Sequence, residues 1–150
     1  MATAQHQLDG FLEKYSPEME KLGRAAIVYL RKRLPGAICL AYDNFNALAV
    51  GFGPMAKVSA LPLSIAFYPK WATLFLMSGA SLDDPHGLME GKGARIRSIR
   101  LSGLPMLKSE PVDRLIAAAV LQAGWKLDPR ARGELIIKSI SPKQRPRRPS

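Results

Sequence analysis

This 150-residue chain is short of cysteine, histidine and acidic side chains, with one, two and 12 of them. Each scarcity excludes something. Cys39, alone in an apolar segment, cannot close an internal disulfide, so a reducing cytosol is the expected location. His6 and His86 fall in loops or near a terminus, and no serine sits in a nucleophile elbow. No acid–base or nucleophile constellation therefore appears, and a non-enzymatic binding domain is the leading expectation. No apolar run reaches the roughly 18–20 residues that a membrane span needs. The opening MATAQHQLDG lacks the basic-then-apolar order of a signal peptide. A cytoplasmic monomer or homodimer, with no membrane partner, is expected.

What is abundant is positive charge: 22 basic residues give a formal net charge of +10. Residues 1–127 hold 15 basic and 10 acidic side chains, while residues 128–150 hold 7 basic and 2 acidic. Half of the excess thus belongs to a short C-terminal segment. At this length one domain plus a tail is expected, able to bury roughly two-thirds of its unfolded surface.

The hydrophobic pattern opens with helices. A short one covers about Gln7–Tyr15, with Leu8, Phe11 and Leu12 on one face. Ser16-Pro17 caps and starts a second, running to about Leu34, where Pro35-Gly36 stops it. Glu18 and Glu20 in its first turn and Arg31, Lys32 and Arg33 in its last suit the helix dipole. Strands follow at Ile38–Tyr42 and Ala47–Phe52, joined by the turn Asp43-Asn44-Phe45-Asn46. Lys57–Tyr68 is extended but broken by Pro62, which predicts an edge position or a bulge. Trp71–Met77 and Arg95–Leu101 complete the strands. Ser109 opens a helix striped by Val112, Leu115, Ile116, Ala119 and Val120 and ended by Gly124. The pattern is α+β: an antiparallel sheet of about five strands with N-terminal and C-terminal helices on one face, spanning residues 1–127.

Residues 128–141 read as an extended docking segment or an extra strand, centred on Glu134–Ser141. Residues 142–150, PKQRPRRPS, have three prolines, four cations and no apolar anchor, and read as a disordered basic tail.

Several short motifs carry chemistry on paper. Gly51-Phe52-Gly53-Pro54-Met55-Ala56 has dinucleotide-fingerprint spacing but does not open a helix, so it is rejected. Gly91-Lys92-Gly93 with Arg95 and Arg97 could hold a small anionic ligand, or form a flexible turn and a solvated sheet face. Asp84, His86 and Glu90 would share a helical face as metal ligands, or simply cap and end a one-turn helix. Trp71, Tyr42, Phe45 and Phe52 could line a pocket or belong to the core. Lys143, Arg145, Arg147 and Arg148 could neutralise nucleic-acid phosphates. The tail lacks interleaved aromatics, so that binding would be weak, sequence-blind and salt-dependent.

The stretch Ser78–Leu101 resembles the signature of the YdhG-like family of small bacterial domains. Gly79-Ala80, Leu82, Asp84-Pro85, Gly87-Leu88, Glu90-Gly91 and Ile99-Arg100-Leu101 carry the resemblance, which runs from about Gln7 to Gly124. Gly51-Phe52-Gly53-Pro54-Met55 is similar to the second strand turn of one family branch. The resemblance implies an antiparallel sheet with flanking helices and an unidentified ligand or protein partner. Because one Bacillus member is assigned as a frataxin-like iron chaperone, it also implies iron as a possible cargo. No resident cofactor is expected.

Overall fold

Capping chemistry sets the N-terminal helices. In the computed structural model, which describes residues 2–149, α1 spans Ala4–Glu13 and α2 spans Pro17–Arg33. The hydroxyl of Thr3 accepts the His6 amide at 3.1 Å, and that of Ser16 accepts the Met19 amide at 3.3 Å. Both satisfy amides that the first helical turn leaves without partners.

The strands are β1 (Ile38–Asp43), β2 (Leu48–Gly53), β3 (Leu63–Phe67), β4 (Ala72–Leu76), β5 (Arg97–Leu101) and β6 (Leu135–Ile140). They form one sheet in the order β5-β4-β3-β2-β1-β6. Every pairing is antiparallel except β1 with β6, which is parallel. The count is six rather than five, because Glu134–Ser141 supplies an edge strand. Two helices lie between β5 and β6: the single-turn α3 (Leu104–Leu107) and the longer α4 (Glu110–Gln122).

Period-two alternation decides which sheet face is buried. Cys39, Val50, Ile65, Leu74 and Ile99 point to the helices and join one core with Ile27 and Leu30 of α2 and Val112 and Ile116 of α4. The Cys39 thiol is fully buried there, and burial pushes its pKa up to about 11. A thiol so protonated and shielded is inert. Native protein should therefore resist a thiol reagent at pH 8 and react stoichiometrically once unfolded; prompt native labelling would place Cys39 outside the core.

Two sequence readings need correction. Pro62 does not mark an edge strand, because β3 lies inside the sheet between β2 and β4. Pro62 instead precedes β3, where a missing amide costs no ladder bond, and its carbonyl accepts the Met77 amide at 2.9 Å. The residues before it form a single 3-10 turn, Val58–Ala60, rather than strand. That turn lays Leu61 across β2, which explains the glycines there. A Cβ on Gly51 would stand 2.5 Å from a Leu61 methyl, so the motif serves close packing rather than a dinucleotide.

Gly36 has a different task. Its φ of +80° turns the chain out of α2, and a Cβ there would stand 2.4 Å from the Asp128 carbonyl oxygen. The close approach lets residues 128–134 cross beside β1 and start β6, where the Cys39 amide donates to the Glu134 carbonyl at 2.8 Å. No helix among the described residues is long and apolar enough to cross a membrane.

Candidate functional site

The loop 82–96 carries most of the sequence's candidate ligands, and the structure gives several of them other work. Residues 84–87 form a turn, not a helix, so His86 and Glu90 do not share a helical face. Both oxygens of the Asp84 carboxylate accept backbone amides, from Leu88 at 2.9 Å and Met89 at 2.8 Å. Glu90 and Ser98 exchange two backbone hydrogen bonds at 2.8 and 2.9 Å, stapling the loop to β5. Among the described residues no group of three or more His, Cys, Asp and Glu could hold a metal ion. The Asp84, His86 and Glu90 set therefore does not fit iron: its best carboxylate already closes a turn.

The anion set is also dispersed. Arg97 donates to the carbonyls of Gly93 at 2.6 Å and Ile96 at 2.9 Å, closing its own loop. Arg95 reaches the Ser78 hydroxyl at 3.3 Å and lines a shallow hollow of about 220 Å³. Gly91 has a φ of +134° and serves as the corner into β5, while Lys92 and Gly93 are exposed.

What the loop does build is a cleft against α4. Leu82, Pro85 and Leu88 face Pro111, Leu115 and Ala118 across a volume of about 500 Å³. His86, Arg114 and Gln122 stand at its lining, and Gln122 donates to the Ser81 hydroxyl, bridging helix and loop. Arg114 is held toward Glu110 by an ion pair of 2.5 Å one turn away.

The basic tail is the largest correction. Residues 142–149 have no regular secondary structure, yet they are docked across one end of the sheet rather than disordered. Arg147 is 4% exposed, and its guanidinium lies 3.0 Å from Asp43, itself fully buried at the end of β1. Lys14 and Gln144 reach the same carboxylate at 2.6 and 2.9 Å. Burial alone would raise the Asp43 pKa, but hydrogen bonds from Lys14, Gln144 and Arg147 outweigh it and hold the carboxyl below its usual value. Beside this hub the Tyr15 hydroxyl donates to the Phe67 carbonyl at 2.6 Å and accepts the Leu48 amide at 3.1 Å. Burial raises its pKa. The structure thus places Arg147 in the ion pair that ties the tail to β1 rather than on the exposed tail surface.

Docking leaves other cations outside. The Arg145 amide donates to the Phe45 carbonyl at 2.8 Å, while its side chain stays exposed above the Phe45 ring. Arg145 and Arg148 then border a hollow of about 770 Å³ whose other wall is the loop Tyr68-Pro69-Lys70-Trp71. Residue-by-residue reading missed Tyr68 and Lys70, and saw Trp71 only as a pocket or core aromatic. The short four-residue hairpin with an exposed Lys at its tip was the one signal that could have pointed there. Lys143 is exposed on the same tail.

Compared with known proteins, the chain matches no protein-family model, no curated protein and no solved structure.

Proposed function

We propose that this chain is a non-enzymatic binding domain that holds a small, largely apolar ligand with a polar end in the cleft between loop 82–88 and α4. The cleft itself carries the reading: its walls are largely apolar, Asp83 and Asp84 lie on its loop side, and His86, Arg114 and Gln122 offer hydrogen bonds beside them. The volume of about 500 Å³ lies in the range of small-molecule sites. The buried, protonated Cys39 thiol and the loop position of His86 favour binding over catalysis. Iron is not the favoured cargo, because Asp84 already serves as a turn cap.

A suitable probe is 8-anilinonaphthalene-1-sulfonate, whose rings suit the walls and whose sulfonate suits Arg114. Saturable one-to-one binding is expected, weakened at least tenfold in Ala118→Trp, which fills the cleft from the half-buried side of α4. The melting temperature should stay within a few degrees. Unchanged probe affinity in a folded Ala118→Trp protein would overturn the reading.

A further inference from the structure

The tail and the loop between β3 and β4 meet because of the sheet's topology. Pairing of Asp43 with Leu48, and of Leu48 with Phe67, puts both hairpin turns at one end of the sheet. β6 runs parallel to β1, so the tail emerges at that same end, where Ile140 pairs with Asp43. The Asp43 hub then fixes the path of residues 144–148.

This end of the molecule carries a stack. The rings of Tyr68 and Trp71 lie 5.1 Å apart and within 20° of parallel. The Arg100 guanidinium sits 4.2 Å from the Trp71 ring centre, on the β5 side, so Trp71 is held between Arg100 and Tyr68 and the outer Tyr68 face is the one left for a ligand. The loop is closed by the Tyr68 amide donating to the Trp71 carbonyl at 2.8 Å, so the rings are presented by a short, fixed turn. Lys70, Arg145 and Arg148 surround the adjoining hollow, and among the described residues no acidic side chain lines it. Arg148 leans on the carbonyls of Glu13 and Lys14 at 3.5 and 3.3 Å, and the residue stays exposed.

We propose that this surface binds single-stranded nucleic acid without sequence preference. Aromatic plates beside a cationic, acid-free groove are what an unpaired strand requires: bases stack on the rings while phosphates meet the cations. A duplex keeps its bases stacked on one another and could use only the charges. Arg145 and Arg148 contact phosphates, the outer face of the Tyr68 ring carries a base with Trp71 backing it, and Arg147 positions the tail without touching the strand. This surface is separate from the cleft against α4, so either can fail alone.

The test uses fluorescence anisotropy with the full chain, a labelled ten-nucleotide oligothymidylate, a ten-base-pair duplex and heparin at several salt concentrations. The single strand should bind more tightly than the duplex. Trp71→Ala should weaken single-strand binding at least tenfold and leave heparin binding nearly unchanged. Arg145→Glu should weaken both and flatten the salt dependence of the single strand. Lys92→Ala and Ala118→Trp should change neither. Equal single-strand and duplex affinity, or single-strand binding indifferent to Trp71→Ala, would overturn the proposal and leave a generic polyanion surface. If circular dichroism shows Trp71→Ala unfolded, Arg145→Glu decides, since its side chain is exposed; unaltered single-strand binding there overturns the proposal.

Discussion

Replacing Asp43 by Ala should cost about 3–5 kcal/mol of stability, because it strands the Arg147 guanidinium in a buried site. The pair is held between segments 104 residues apart, so the loss should appear as a large drop in urea midpoint. The double variant Asp43→Ala with Arg147→Ala should lose less than the sum of the singles, as expected for directly coupled groups. The pH dependence follows from the sign of the Asp43 shift. A carboxyl whose folded pKa lies below its ordinary 3.8 adds stability that is fully present above 3.8 and is lost as pH falls through the folded value. Stability should therefore decline on acidification below 3.8, and Asp43→Asn should flatten that decline. Identical urea midpoints for wild type and Asp43→Asn at both pH 7 and pH 3 would contradict the hub.

Ala119→Asp should leave little folded protein. Ala119 is 3% exposed on the α4 stripe and packs in the core with Val112, Ile116 and the sheet. Burying an unpaired carboxylate at such a position costs at least about 4 kcal/mol. That is a large share of the roughly 5–15 kcal/mol by which domains are stable. Loss of the cooperative thermal transition is the expected observation; an unchanged melting temperature would take α4 out of the core. By contrast, substituting the neighbouring exposed Leu121, 82% exposed, should change stability little.

The contrast between α4 and the tail shows what a one-dimensional reading reaches. The α4 stripe is a local period, five apolar residues recurring at helical spacing, which specifies both the helix and its buried face without reference to any tertiary contact. The same holds for the Ser16-Pro17 start of α2, whose cap lies three residues from its partner. The loop 82–96 was half legible: its glycine corners and Asp84 cap were readable, but whether Asp84 faced a metal or its own backbone depended on the turn adopted.

Charge was where local reading failed. Four cations among three prolines look like a solvated tail, because composition counts charges without their partners. The partner of Arg147 is Asp43, and only the parallel docking of β6 on β1 brings them to 3.0 Å. The same docking carries Arg145 and Arg148 to the aromatic loop 68–71, supplying the rings the tail lacks in its own sequence. Short-range periodicity and capping thus determined the helices, most strands and the core faces, since their energies act within a few residues. The tail's path, the Asp43 hub and both candidate binding surfaces were decided by tertiary structure, because each joins groups that only strand order and register place side by side.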